Sequence, residues 1–522
     1  MSTTHRGIGE MRVVAWVALF ALAWGRISVA RAGHTSAVSP FRVVLNDAAF
    51  RSNETDIMKE FIADHAEFTL ADVITTRNRN VTSGFDYLLT NRKGAAAAYG
   101  SGSIVSIVPG MHHLTHKALM GRTLSGTPGV APRSFRIPAE VGQLIDFIKT
   151  HPEEGEKVWV MKENKHRGQG VTVVYLNQLM GRMLMLMQQN KGRNPVVLVQ
   201  EFVEDQLLLN DVPFTFRVWT VFGGGWNTSR AYVFDGSIVP LGDKTFSSIN
   251  SGDRLKVAQD MIVNLFLQDR EKASDPWSIN GQFKQHLREQ TGSDDAFDRM
   301  WDKLKDKTAR AFAAALPRLR DDVYRDFPDS YRDNGFEFLG FDFLVDSSYE
   351  PHLIEVNHLP SMARKVPGKR TVGSVFDEQK ERFIHGLMTV LRGTKERKDF
   401  HRSLAERAGC PAGSRAADVM DMVYEGKLAL QNGFSIVTND LYDHLHEYYP
   451  SGILYRLQRV LRGVLPEMTG FAGRKSSPRD LPSFDGLVRQ TLSAVDSRAD
   501  ERYESVILQT LCKSRVGLSS EL

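Results

Sequence analysis

The chain has 522 residues, 42% hydrophobic and 25% charged, with a formal net charge of +4. This composition excludes collagen-like, low-complexity and disordered classes, and the length allows about two to four domains with sizeable cores. The mild basicity permits an acidic partner without demanding one. It falls short of a nucleic-acid footprint, and no zinc-finger or helicase motif accompanies it, so no nucleic-acid partner is expected.

In chain order, Arg6 and Arg12 precede the apolar run Val13–Trp24, and Ala30-Arg31-Ala32 has the small-residue pattern of a cleavage site. That is the layout of a secretory signal or of the first part of a plastid address. A membrane is expected only if this segment stays on as an uncleaved anchor. Three glycosylation sequons, at Asn53, Asn80 and Asn227, are compatible with secretion but occur by chance as well. Cys410 and Cys512 allow one disulfide and offer no metal or nucleophile spacing. The compartment stays open between secretory or plastid routing and the cytoplasm.

From Phe41 to about Gly110, short strands (Arg42–Leu45, Phe85–Leu89) mix with helical stretches (Asp56–His65), which reads as a small α/β unit. Met111 to about His151 begins helical and turns through the segment Pro128–Pro138. Val158–Met161 and Val171–Tyr175 are expected strands around a polar, glycine-bearing loop, with further strands at Val196–Val203, Phe214–Phe222 and Arg230–Phe234. Asp253–Leu287 and Asp295–Phe327 read as mainly helical, as does Phe376–Leu391. Beyond Gly393 a helical extension follows.

The most informative stretch is Asn334–Asn357, NGFEFLGFDFLVDSSYEPHLIEVN. It reads as a strand Glu337–Val345, a polar turn Asp346–Pro351, and a return strand His352–Asn357. Residues two apart on a strand share a face, so Glu355 and Asn357 point one way and Ile354 and Val356 the other. Asp342 sits mid-strand among apolar neighbours, where an unpaired carboxylate is costly to bury. Two carboxylates and an amide oxygen on one face are hard ligands, suited to a magnesium ion that also holds a substrate phosphate. A hairpin with scattered surface acids is the plainer alternative.

A second pattern joins the strands 158–161 and 171–175: Lys162 at a strand end, then Glu-Asn-Lys-His-Arg, then Gly168-Gln-Gly170. Glycines there let backbone N–H groups approach an anion, and the lysine adds a point charge. A lone Gly-x-Gly marks hairpins more often than nucleotide sites. What points to a nucleotide is the order: strand, lysine, glycine loop, strand, then the run Val197–Val203.

Together these segments resemble the tubulin–tyrosine ligase-like family, whose catalytic unit is an ATP-grasp fold. The likeness runs in order from about Phe85 to Leu391: Pro109-Gly110-Met111 with Lys117 downstream, WVMKENKHRGQG at Trp159–Gly170, LVQEFVEDQLLL at Leu198–Leu209, FTFRVW at Phe214–Trp219, and the hairpin with its EVN. The resemblance implies an α/β (α+β) ATP-grasp fold with mainly antiparallel sheets. Its parts would be a targeting or anchor segment (1–33), an N-terminal α/β subdomain (34–110), a central subdomain (111–195), a C-terminal subdomain with the metal site (196–392), and a helical extension (393–522). It further implies that Lys117 and Lys162 contact ATP phosphates and that Arg167, Gly168 and Gly170 close over them. Gln200, Glu201, Phe202 and Val203 would line the adenine hinge, partly through backbone groups. Arg217 and Glu355 would be catalytic, and Asp342, Glu355 and Asn357 would hold Mg2+.

The implied reaction is ligation of a free amino acid, glutamate by first preference, to a protein carboxylate on tubulin or another acidic acceptor. It would proceed with ATP through an acyl-phosphate. The chain departs from the family at the strand that usually begins Lys-Phe-Asp-x-Arg: here it reads Pro213-Phe214-Thr215-Phe216-Arg217. A second arginine expected after Gly236 is absent from Ser237-Ile238-Val239-Pro240-Leu241. A catalytically reduced pseudo-ligase that binds nucleotide or tubulin is therefore the alternative.

Overall fold

The computed structural model describes residues 39–46, 53–74, 84–92, 103–165, 170–224, 229–249, 253–263, 275–326, 334–366, 371–410, 416–438 and 441. The apolar N-terminal run, Arg167, Gly168, Asn80, Asn227 and Cys512 lie outside the described residues. The chain divides into two compact units, Met1–Pro40 and Phe41–Leu522, and the described strands and helices belong to the second.

This second unit opens with a parallel sheet of β1 (Phe41–Leu45), β2 (Phe68–Val73), β3 (Tyr87–Leu89) and β4 (Ile104–Val105) in the order β2-β1-β3-β4. Strand alternation sends Phe41, Val43 and Leu45 against Ile57, Met58, Phe61 and Ile62 of α1 (Asp56–Asp64), while Val44 packs with Leu88 and Val105 on the other side. A strand apolar on both faces belongs inside a parallel sheet.

After α2 (His112–Thr115) and α3 (Lys117–Leu124) comes an antiparallel sheet, ordered β5-β8-β6-β7. Its strands are β5 (Ser134–Arg136), β6 (Val158–Glu163), β7 (Val171–Tyr175) and β8 (Val196–Glu201). Trp159 and Met161 turn to one face, packing with Leu144 of α4 (Val141–Thr150) and Met183 of α5 (Leu179–Gln189). Val158 and Val160 turn to the other, with Val173, Phe202 and Ala258.

The third layer is a large antiparallel sheet around β11 (Phe216–Gly223). On one side β11 meets β12 (Arg230–Phe234) and β13 (Ile238–Val239); on the other it pairs along its whole length with β15 (Phe336–Val345), which pairs in turn with β16 (Pro351–His358). The hairpin expected from Glu337 to Asn357 is therefore present, one residue longer at each end. The helix expected from Asp295 runs Asp295–Asp326 (α6) and covers one face, with Phe297, Met300, Leu304 and Phe312 against Phe216, Val218, Phe222, Leu339 and Phe341. The opposite face carries Trp219, Val221 and Phe338, which pack with Phe383, Ile384 and Leu387.

Two segments differ from the sequence expectation. The stretch 253–287 is not continuously helical: Asp253 caps a short α7 (Arg254–Asp260) by accepting the Leu255 and Lys256 N–H groups, and β14 (Trp277–Ser278) and a π-turn (Ile279–Phe283) precede α8 (Lys284–Thr291). The helix expected to end at Leu391 continues to Arg407 (α9, Val375–Arg407). It pairs with α10 (Ala416–Gln431), and β17 (Phe434–Ile436) then adds an edge strand to β12. Three residues are too few to show a period, so only burial of Phe434 and Ile436 marks this strand. One parallel and two antiparallel α/β layers give a mixed α/β fold of the ATP-grasp kind.

Candidate active site

Backbone register assembles the site. Asp342 on β15 stands opposite Arg217 on β11 and opposite Glu355 on β16, while Gly340 stands opposite Asn357. Asn357, two residues beyond Glu355, shares its face. Arg217 grips Asp342 with both arms of its fork, Nε to Oδ1 and Nη2 to Oδ2, the latter at 2.8 Å. Asn357 donates Nδ2 to the same Oδ2 at 2.8 Å. Gly340 makes room for this: a Cβ there would lie 3.0 Å from the Arg217 Cδ and 3.2 Å from the Pro360 Cβ.

The return strand does not alternate as expected. Asp342 pairs with Glu355 but Phe343 pairs with Leu353, so Ile354 is an extra residue in a β-bulge. Leu353 and Val356 are consequently the buried pair, and Ile354 is only half-buried. The bulge turns the Ile354 carbonyl toward Lys162, whose Nζ donates to it at 3.2 Å and to Gln200 Oε1 at 2.7 Å. Lys162 is 6% exposed. Burial pushes its ammonium down to about 8; Glu355 and Asp342 resist this and the like charge of Lys117 reinforces it. Burial likewise pushes Asp342 above the ordinary carboxylate range, against the pull of Arg217 and Asn357. For Arg217 burial works downward, but Asp342 overrides it and holds the guanidinium more firmly charged.

Lys117, the first residue of α3, donates to the Lys165 carbonyl at 2.8 Å, and its Nζ lies 3.3 Å from Glu355 Oε1. It thus links the hairpin to the base of the loop after β6. Gly170, at the far end of that loop, has φ +72° and would place a Cβ 2.7 Å from the Glu163 Cβ. Its carbonyl accepts the Glu163 N–H at 2.8 Å. Only glycine suits that turn.

In the segment expected to line the adenine, Phe202 is buried with Val158, Val160 and Val173, and its N–H donates to the Val158 carbonyl at 3.1 Å. The Val203 carbonyl accepts from Gln206 Nε2 at 2.9 Å. Glu201 pairs at 3.7 Å with Lys157, which places its carboxylate away from Lys162. Gln200 is 2% exposed, with its amide oxygen taken by Lys162.

Of the positions that depart from the family pattern, Pro213 pairs with Leu208 in a two-stranded ribbon, β9 (Leu208–Leu209) and β10 (Val212–Pro213). The Thr215 N–H donates to the Pro240 carbonyl, and Val239 is wholly buried in the core.

Glu337 was not singled out in the sequence, yet it is fully buried beneath the site. Its Oε2 accepts the Val108 N–H at 2.6 Å and its Oε1 lies 3.1 Å from His358 Nε2. It anchors the loop that leads to Lys117. The available signal was an acid in an apolar strand, the feature that marked Asp342.

Among the described residues, no group of three or more His, Cys, Asp or Glu side chains stands where it could hold a metal alone. Asp342, Glu355 and Asn357 supply two carboxylates and an amide. That set fits magnesium, which is commonly bound by one or two carboxylates and completed by substrate phosphates and water.

The fold is that of an α/β protein of the ATP-grasp class. The model of the tubulin-tyrosine ligase family matches residues 105–376, just over half of the chain, and the chain belongs to that family. Tubulin glycylase 3B of Tetrahymena thermophila is 26% identical over 46% of this chain and 19% of its own length. Tubulin polyglutamylase TTLL6 of Mus musculus is 22% identical over 49% of this chain and 30% of its own. Probable tubulin polyglutamylase ttll-15 of Caenorhabditis elegans is 24% identical over 50% of this chain and 47% of its own. The chain therefore matches less than half the length of each of these relatives.

Proposed function

We propose that the chain is an ATP- and Mg2+-dependent ligase that joins an amino acid, with glutamate preferred, to a carboxylate of a protein acceptor, with tubulin preferred. The observation that carries this reading is the convergence of Asp342, Glu355 and Asn357 on one face, beside Lys117, Lys162 and Arg217. Opposite charges meet there, as expected for phosphoryl transfer run by positioning and charge neutralisation. The tubulin glycylases and polyglutamylases among its relatives support the acceptor and the reaction class.

In this reading Lys162 and Lys117 take phosphate oxygens of ATP, and the apolar cluster of Val160, Val173 and Phe202 packs against the adenine. Arg217, whose Nε and Nη2 hold Asp342, offers its remaining N–H donors to the phosphoryl group in transfer. Asp342, Glu355 and Asn357 would hold the magnesium ion, whose chemistry when bound would be neutralisation of phosphate charge. An oxygen of the acceptor carboxylate attacks the γ-phosphorus and ADP leaves. The amine of the incoming amino acid then attacks the acyl carbon and phosphate departs, closing the amide bond.

The second reading, nucleotide binding without ligation, is favoured by one feature: Pro213 and Thr215 replace a lysine and an aspartate of the family pattern. Calorimetric titration with a non-hydrolysable ATP analogue tests the site itself. Binding should need Mg2+, and Glu355→Gln should weaken it at least about tenfold while leaving the melting temperature unchanged. Equal binding by that variant, or binding indifferent to Mg2+, would remove the metal assignment.

A further inference from the structure

Gln200 sits where the family resemblance would have it line the adenine hinge, and its side chain is engaged elsewhere. Pairing of Gln200 with Val160 makes it the diagonal, same-face neighbour of Lys162 on β6. Its Oε1 accepts from Lys162 Nζ at 2.7 Å, and the pair is buried, at 2% and 6% exposure. The other acceptor is the Ile354 carbonyl at 3.2 Å, presented by the bulge on β16. One acceptor thus comes from each antiparallel sheet. An ammonium has three N–H donors, so these two contacts fix its direction and leave one donor for a ligand. Both acceptors are neutral. They hold the amine without spending its charge, whereas a carboxylate in the place of Gln200 would compete with a phosphate for it.

We propose that Gln200 is a positioning residue that aims Lys162 Nζ at the nucleotide phosphates, and that its side chain does not read the adenine. This rests on Lys162 being a phosphate ligand, as in the proposed function. The experiment is calorimetry of the full-length protein with adenosine, ADP and a non-hydrolysable ATP analogue in Mg2+, for wild type, Gln200→Leu, Lys162→Met and the double variant. Gln200→Leu should weaken ADP and the analogue about tenfold, the usual scale for a hydrogen bond to a charged group, and leave adenosine within about twofold. Added to Lys162→Met, it should cost nothing more, because it acts only through that lysine.

Equal weakening of adenosine and ADP, or a full further loss in the double variant, would overturn the proposal and return Gln200 to the adenine. If Lys162→Met leaves ADP affinity intact, the phosphate assignment fails first and this inference with it. Should Gln200→Leu not fold, Gln200→Met keeps the length of the side chain, removes the acceptor, and carries the same expectations.

Discussion

Lys162 shows how burial changes what a residue does. A lysine with an ordinary ammonium would stay charged far beyond neutral pH; burial brings this one down to about 8. Nucleotide affinity should therefore be full below that pH and decline above it as the amine loses its proton. Lys162→Arg, with a guanidinium that does not titrate, should flatten the alkaline limb even if its affinity is lower. Calorimetry from pH 6.5 to 9.5 measures both, and a wild-type affinity flat across that range would contradict the assignment. Asp346, at the hairpin turn, works in the opposite direction. Although burial alone would raise it, hydrogen bonds from Ser348, His352 and the Glu350 and Ser348 N–H groups hold its carboxyl down to about 2. A carboxylate lowered on folding contributes stability that is complete above its unfolded value near 4 and lost as pH falls toward 2. Asp346→Ala should lower stability by about 1–3 kcal/mol at neutral pH and by less near pH 2, measured by urea denaturation. Of these residues, Asp342 was legible as an acid in an apolar strand, and Lys162 as a lysine at a strand end. The partners that set their properties were not, because Arg217, Gln200 and Asp342 come together only through sheet register.

At the scale of elements, the hairpin was readable to within a residue at each end, since its two apolar runs and polar turn each carry a local signal. The bulge at Ile354 was not. One extra residue leaves the apolar pattern nearly unchanged, yet it exchanges which residue is buried and turns a carbonyl into the site. Gly340 is the other element-scale device, because the stem of Arg217 crosses the space its missing side chain leaves. Gly340→Ala should displace Arg217 from Asp342 and reduce turnover about a hundredfold at a temperature where the variant is still folded, with a lowered melting temperature from the broken ion pair. Turnover within twofold of wild type would mean that Arg217 need not lie over that glycine.

For the molecule as a whole, the sequence marked the antiparallel layers and the order of their motifs, but it treated the chain beyond Gly393 as a helical extension. In the structure, α9 runs through that point and β17 completes an edge of the central sheet. Glu425, on α10, is buried and grips Arg230 of β12 with both oxygens, at 2.6 and 2.7 Å, while Tyr232 donates its hydroxyl at 2.9 Å. These are long-range pairings between segments nearly 200 residues apart, and no local pattern announces them. Glu425→Gln should cost about 3–5 kcal/mol, the usual loss when one partner of a buried ion pair is removed, and thermal unfolding of the full chain would show it. Ligation is a matter of chemistry rather than stability. Its most direct test is ADP release by residues 34–522 with ATP, Mg2+ and purified tubulin, in the presence of glutamate, glycine or tyrosine in turn. Release should depend on one of these amino acids, glutamate first, and disappear in Glu355→Gln. Tight Mg2+-dependent ATP binding with no release under any of the three would contradict ligation and leave a nucleotide-binding pseudo-ligase.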